Sequence, residues 1–399
     1  MNSFDRPVNA PVSIVGGRKP KSARRALLAV VSCLLLTVVV SAASAAPQGT
    51  TTPAPSALQR SLDQVVAAGV PGTVVLARQG NHTTVLTSGY GNLKQKTRTR
   101  PTDKFRVGSV TKTLVATVVL QLVSEGKLSL NDTIQRRLPG VIPNGKSITI
   151  RELLNMTSGL FDYLNDGDNT VGDRLLKGDV TYRWSPLELL AISNKHKPRF
   201  APGTAWEYCS TCYVVLGLIV QKTTGHTLGA ELKRRVFVPA GLKATSFDTE
   251  PQIKGQYAHG YESLGKPALS DVSVLSPSHG WAAGALVSNV QDLARFYRAL
   301  YRGQLISPAL VKQMQTSVPN KTIGNWGYGF GLFKKPTRCG TAYGHPGGIP
   351  GYIAEAWSSK DGSRQAMLLV NLGEHSSTDK TDAARQRVLE DAYCMKATR

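Results

Sequence analysis

The amino-acid sequence predicts an α/β protein: one antiparallel sheet built from both chain ends and flanked by helices, with a mostly helical domain inserted between them. Two observations predict it. Strand-like runs of β-branched and aromatic residues cluster near the two ends, at 72–78 and 83–88 and then at 327–333, 341–345, 352–358 and 365–371. Between them the apolar positions recur at helical spacing, as at 150–156, 186–193, 213–223 and 292–300. Strands at both ends around a helical middle form one sheet only if the ends meet, so the sheet domain is expected to comprise 57–108 and 301–399 and the helical domain 109–300.

Residues 1–45 read as a secretory signal peptide. Arg18, Lys19, Lys21, Arg24 and Arg25 precede an apolar run from Ala26 to Val40, and Ser41-Ala42-Ala43-Ser44-Ala45-Ala46 follows as a small-residue cleavage site, with cleavage near Ala45. Arg24-Arg25 fits the twin-arginine route only in part. Val31-Ser32-Cys33 resembles a lipoprotein box, but the apolar run continues past Cys33. A retained anchor is the rival reading, and the run is short for a spanning helix. A secreted protein without a stable membrane anchor is therefore expected. Residues 46–56, with Thr51-Thr52-Pro53-Ala54-Pro55-Ser56, form a linker. A helix at 58–68 comes next, then the first two strands around the turn Gln79-Gly80-Asn81-His82, and a terminal helix at 379–393 closes the chain.

The formal net charge is +22. Six of the 48 Lys and Arg and one of the 26 Asp and Glu lie in the leader, which leaves +17 for the remainder. The basic residues are dispersed, Lys94 to Arg100 being the densest group, and no nucleic-acid-binding motif accompanies them. Attraction to an anionic cell wall is the partner reading that fits an exported basic protein. Nucleic acid is not an expected partner, and a monomer is expected. Four of the five cysteines lie beyond the leader, Cys209, Cys212, Cys339 and Cys394, with three possible disulfide connectivities. Zinc binding through Cys209 and Cys212 lacks a second ligand pair, and no His falls in a metalloprotease pattern, so neither a metal nor a cofactor is expected. Cys209 and Cys212 either pair with each other or remain buried thiols.

The chemistry centres on Ser109-Val110-Thr111-Lys112. A serine hydroxyl is a poor nucleophile unless a base takes its proton, and residues three apart share a helical face. The same four-residue pattern recurs as Ser124…Lys127, Ser263…Lys266 and Ser377…Lys380. Only the first copy opens an apolar helix, with Leu114, Val115, Val118, Val119, Leu122 and Val123 at helical spacing before Gly126 ends it. At a helix start, Ser109 meets free N–H groups and the positive dipole end, which favour developing negative charge.

Three further segments fit this reading: Pro202-Gly203-Thr204-Ala205-Trp206-Glu207-Tyr208-Cys209-Ser210, Trp281-Ala282-Ala283-Gly284-Ala285-Leu286-Val287-Ser288 and Tyr343-Gly344-His345-Pro346-Gly347-Gly348. With the Ser109 segment they resemble the penicillin-recognising serine hydrolases, in the branch of class C β-lactamases and secreted D-alanyl-D-alanine carboxypeptidases. The resemblance implies a β-lactamase/transpeptidase-like fold. It implies Ser109 as the acylated nucleophile with Lys112 as its partner, and Tyr208 as the group that exchanges protons with Ser109 or the leaving group. Either a neutral Lys112 or a Tyr208 phenolate then serves as base. His345-Pro346-Gly347 matches the H-x-G strand, the N–H groups of Ser109 and Gly348 match the oxyanion hole, and Cys339–Cys394 matches that branch's disulfide.

The chain departs from the pattern where substrates are held. Ser210 stands at the asparagine of the usual Y-x-N. Phe333 stands at the arginine that grips a terminal carboxylate, with Lys334 or Lys335 as possible substitutes, and Pro346 and Gly348 replace threonines. A lysine lacks the bidentate fork of arginine. Ser210, Trp281, Phe333, Lys334 and Gly347 are the substrate-binding candidates, and Asp166 and Asp168 are candidates for attracting a cationic group. The resemblance thus implies an exported serine hydrolase, D-alanyl-D-alanine carboxypeptidase-like, acting through an acyl-enzyme on a small peptide, amide or ester. The alternative is an esterase or D-amino-acid amidase or aminopeptidase on the same scaffold, ahead of a β-lactamase or a catalytically impaired penicillin or cell-wall binder.

Overall fold

The computed structural model describes residues 56–166, 171–172, 174, 177–265, 268–319 and 325–395. The signal peptide and all but the last residue of the linker lie outside them, as does Asp168. All described residues belong to one unit, Ala54–Arg399.

Its centre is the antiparallel sheet expected from the two chain ends. The early strands are β1 (Gly72–Gln79), β2 (His82–Asn92) and β3 (Thr97–Arg98). The late strands are β4 (Val318–Pro319), β5 (Gly327–Tyr328), β6 (Phe333–Thr337), β7 (Gly340–Ile349), β8 (Tyr352–Ser358) and β9 (Arg364–Val370). Their order is β3-β2-β1-β9-β8-β7-β6-β5-β4, so the first long strand pairs with the last, Val75 opposite Leu368. The turn after β1 carries Gly80 at φ +61°, the left-handed geometry a tight hairpin needs. The run expected at 327–333 is two strands, because Gly331 at φ +74° turns the chain between β5 and β6.

Helices cover both faces. On one, α1 (Ala57–Ala67), capped by the Ser56 side chain, packs against the C-terminal helix Asp379–Tyr393 through Leu58, Leu62 and Val65 and through Val388, Leu389 and Ala392. On the other lies the helix Val290–Tyr301, whose Ala294 carbonyl accepts from Gln365 Nε2. Gln365 and Ala366 are neighbours on β9, and Ala366 faces Leu389, as strand alternation requires.

Between β3 and β4 the chain is mainly helical. α2 (Thr111–Ser124) is buried on nearly every side, from Thr111 to Leu120, which is why its sequence is apolar all round. α3 (Pro186–Asn194) starts on a Ser185–Glu188 capping box. α4 (Ser210–Thr224) ends at Gly225 in the left-handed conformation. This half also holds a small sheet, Phe105–Arg106, Leu286–Ser288 and Ser246–Phe247, and a two-strand pair, Tyr261–Glu262 with Ser270–Asp271. Strands of two or three residues are too short for an alternating pattern to show.

Candidate active site

Ser109 lies in a 3-10 turn, Gly108–Val110, immediately before α2. The turn packs on β7 through glycines from both sides. Gly108 has φ +48°, and a Cβ on it would run into the Gly348 carbonyl. A Cβ on Gly347 would meet the Val107 carbonyl and stand 2.9 Å from the Ser109 nitrogen. Bare backbone on both elements is what lets the Ser109 turn approach Gly348. Gly108→Ala therefore combines positive-φ strain, about 1–3 kcal/mol, with a clash. It is expected to lower Tm and kcat together, as calorimetry and steady-state kinetics would show; unchanged values for both would disprove the close approach.

Lys112, one helical turn on, is fully buried. Its Nζ donates to Ser109 Oγ at 2.9 Å and to the Ala283 carbonyl at 3.0 Å, and lies 4.8 Å from the centre of the Tyr208 ring. Burial pulls its pKa down to about 7, against the opposing fields of Asp162 and Glu374. The Tyr208 hydroxyl lies beside Ser109, whose hydroxyl favours the phenolate. Burial outweighs that influence, and with the fields of Asp162, Tyr213 and Glu374 holds the phenol well above its ordinary pKa. At neutral pH a deprotonated Lys112 is accessible and a Tyr208 phenolate is not. When Lys112 is neutral, its contact with Ser109 runs the other way, the hydroxyl donating to Nζ while Nζ still donates to Ala283.

An aromatic wall backs Tyr208. Phe333 stacks parallel to it with ring centres 6.3 Å apart, Tyr328 meets it edge-on at 6.4 Å, and Trp206 and Trp326 close on Phe333 at 6.5 and 5.5 Å. Phe333 is thus buried packing behind the Tyr208 phenol, not an exposed substrate contact. Neither lysine takes the place of the missing arginine: Lys334 is exposed, and Lys335 is buried with its Nζ over Trp357 at 4.1 Å and Trp326 at 5.1 Å. His345 is buried too, its Nε2 3.2 Å from the Tyr328 hydroxyl and its Nδ1 against the Pro346 carbonyl. Burial takes its pKa down to about 3, so it is neutral. None of its hydrogen bonds reaches Ser109, Lys112 or Tyr208, which makes it a positioning residue of β7.

Two further candidates are turned away from the cleft. Ser210 is buried, and its backbone N–H donates to Asp162 Oδ2 at 2.9 Å, while Asp162 Oδ1 accepts from Leu164 N at 3.1 Å. Trp281 packs against α4, where a Cβ on Gly217 would stand 2.7 Å from its ring. Asp166 is buried and accepts from or pairs with His196 Nε2 at 2.9 Å. Cys209 and Cys212 are bonded to each other across the first turn of α4, directly after Tyr208, and Cys339 is bonded to Cys394.

The structure adds groups that spacing alone did not single out. Asp162 fixes the start of α4, Ala283 orients Lys112, and Tyr328 joins the aromatic wall to His345. Glu374, from the turn Glu374–Ser376 after β9, brings its carboxylate over Gly348, where a Cβ would overlap it. From Gly348 a cleft of about 710 Å³ extends between Leu164, Val171, Leu264, Ile349 and His279.

Comparison with known proteins agrees with this fold. A D-stereospecific amidohydrolase from Streptomyces sp. superposes with a TM-score of 0.77 at 34% identity, covering 85% of this chain and 98% of that one. A D-amino acid amidase from Ochrobactrum anthropi SV3, solved with D-phenylalanine, gives 0.73 at 28% identity, over 84% and 97% of the two chains. A penicillin-binding protein of Bacillus subtilis (strain 168) is 28% identical over 330 residues, 77% of this chain and 70% of its own. The Beta-lactamase family model matches residues 58–390. The chain belongs to the beta-lactamase family and has its serine-hydrolase fold, as the resemblance implied.

Proposed function

We propose that this protein is an exported amidohydrolase that cleaves amides or esters of small, D-configured acyl groups through an acyl-enzyme on Ser109. The observation that carries the reading is the contact of Lys112 Nζ with Ser109 Oγ beside the Tyr208 hydroxyl, in a site whose carboxylate-gripping position is filled by buried Phe333. Neutral Lys112 takes the Ser109 proton as Oγ adds to the substrate carbonyl. The resulting oxyanion is held by the N–H groups of Ser109 and Gly348. Lys112 returns that proton by way of the Tyr208 hydroxyl to the leaving nitrogen or oxygen, the C–N or C–O bond breaks, and an ester to Ser109 remains. Water attacks that ester along the reverse proton path and frees the acid and Ser109.

The D-configuration is supported by the two amidohydrolase structures above, and export by the leader sequence. The basic surface supports attraction to an anionic cell wall.

A D-alanyl-D-alanine carboxypeptidase is the second reading, favoured by the order of the Ser109, Tyr208 and His345 segments. It needs a cation for the substrate's terminal carboxylate, and this site offers Phe333 and Glu374 instead. Turnover of a D-amino-acid amide, a p-nitrophenyl ester and a D-Ala-D-Ala peptide decides between them. The amide and ester are expected to exceed the peptide in kcat/KM by about tenfold or more, the scale of a lost polar anchor. A peptide preference would replace the amidohydrolase with the carboxypeptidase.

A further inference from the structure

We propose that Glu374 receives a free α-ammonium group on the substrate's acyl residue while that residue's apolar side chain lies in the cleft beyond Gly348. The inference rests on the acyl-transfer reading above and names the substrate class it acts on: amides or esters of amino acids with an unblocked amine.

The first support is position. In the reacting complex the carbonyl oxygen sits at the Gly348 N–H, and an α-amine is two bonds from the carbonyl carbon. The Glu374 carboxylate packs against Gly348 itself and occupies the volume a side chain there would take. Its field also reaches Lys112, which touches the nucleophile. A cation on the α-carbon therefore falls within reach of this carboxylate, the unengaged one among the described acidic residues around the cleft.

Satisfaction of the neighbouring charges is the second. Glu262 accepts from Ser376 Oγ at 2.5 Å and Gly351 N at 3.2 Å, and Glu355 accepts from Trp357 Nε1 at 2.7 Å and lies 3.8 Å from Arg385. Arg385 is further tied to Asp382. Asp166, a candidate for this role by sequence, is held by His196. The Glu374 side chain has no hydrogen bond or ion pair among the described residues, though it opens on the cleft. The side chain is exposed on the cleft, and partial desolvation by the surrounding protein, with the nearby Glu355 and Glu262, raises its pKa, while His375 and Arg385 oppose that. A carboxylate so placed gains from an incoming cation.

The cleft supplies the third. Leu164, Val171, Leu264 and Ile349 line it with apolar surface, and His279 adds no positive charge, because burial takes its pKa down to about 4 and its Nδ1 is bound to the Ser276 carbonyl. The same carboxylate repels a substrate that carries an anion at this point.

The test compares D-phenylalanine p-nitroanilide with its N-acetyl derivative. In the wild-type protein the amine-bearing substrate is expected to have the higher kcat/KM. In Glu374→Gln the ratio of the two is expected to fall about 30-fold, the scale of a lost charge-assisted hydrogen bond, with partial recovery in Glu374→Asp. An unchanged ratio overturns the assignment. Calorimetric binding of D-phenylalanine amide and its N-acetyl derivative to Ser109→Ala, with and without Glu374→Gln, gives the same comparison independently of turnover. Amine-selective binding that depends on Glu374 upholds the assignment even if wild type cleaves neither anilide, a result that defeats the amidohydrolase reading alone. Binding without amine selectivity defeats the Glu374 assignment alone.

Discussion

Ser109→Ala is expected to abolish the covalent adduct with a fluorescent penicillin and to lower kcat by about 10⁴-fold or more, as loss of a catalytic nucleophile does elsewhere. The expectation follows from how much of the site converges on one oxygen. Lys112 Nζ bonds Ser109 Oγ at 2.9 Å and the Tyr208 hydroxyl lies beside it. The alanine variant keeps the Gly108 and Gly348 backbone contact, so the protein should fold with an unchanged Tm. Intact-mass spectrometry and ester hydrolysis together provide the check. Adduct formation or turnover within tenfold of wild type would mean that the nucleophile lies elsewhere.

The second large effect belongs to Lys112. With a pKa of about 7, the reactive neutral amine grows as pH rises, so kcat/KM should climb through an inflection near pH 7 and then level. Lys112→Met keeps the length of the side chain and removes the base; it is expected to cost about 10²–10⁴-fold in acylation and to erase that inflection. Its effect on stability has the opposite sign. A lysine whose folded pKa lies below its unfolded value leaves the unfolded chain holding more protons between the two values. Stability of the wild type therefore rises with pH from about 7 toward the ordinary lysine range, and the penalty is fully present below 7. Lys112→Met should accordingly raise Tm at pH 6 more than at pH 10. A pH-independent Tm difference would contradict the buried, easily deprotonated amine.

The parts of the site legible in the sequence were those with a local cause. Ser109 and Lys112 are one turn apart, and the apolar run after them separates this copy from three others. Tyr208 and His345 were found through the order of segments that the family shares. The long strands of the sheet came within a few residues of their predicted bounds because alternation and turn residues mark them. What stayed hidden was orientation. Ser210 and Trp281 are in the right neighbourhood, yet Asp162 captures the one and Gly217 makes room for the other, and neither partner is close in sequence. Phe333 was read as standing where the family carries an arginine, and that reading did not reveal the aromatic wall it joins. Glu374 had no signal at all: its chemistry depends on the bare Gly348 it covers, which belongs to a different strand.

The pairing of β1 with β9 bears on when activity can begin. The nucleophile and the backbone N–H at Gly348 come from opposite halves of the polypeptide, and the sheet that holds β7 is closed by its first and last long strands. A chain emerging from the ribosome carries Ser109 and Lys112 long before Gly348, the backbone that packs on the Ser109 turn. Contacts so distant in sequence also form slowly. The topology therefore makes the surroundings of Ser109 a product of long-range assembly, which the local turn cannot form by itself.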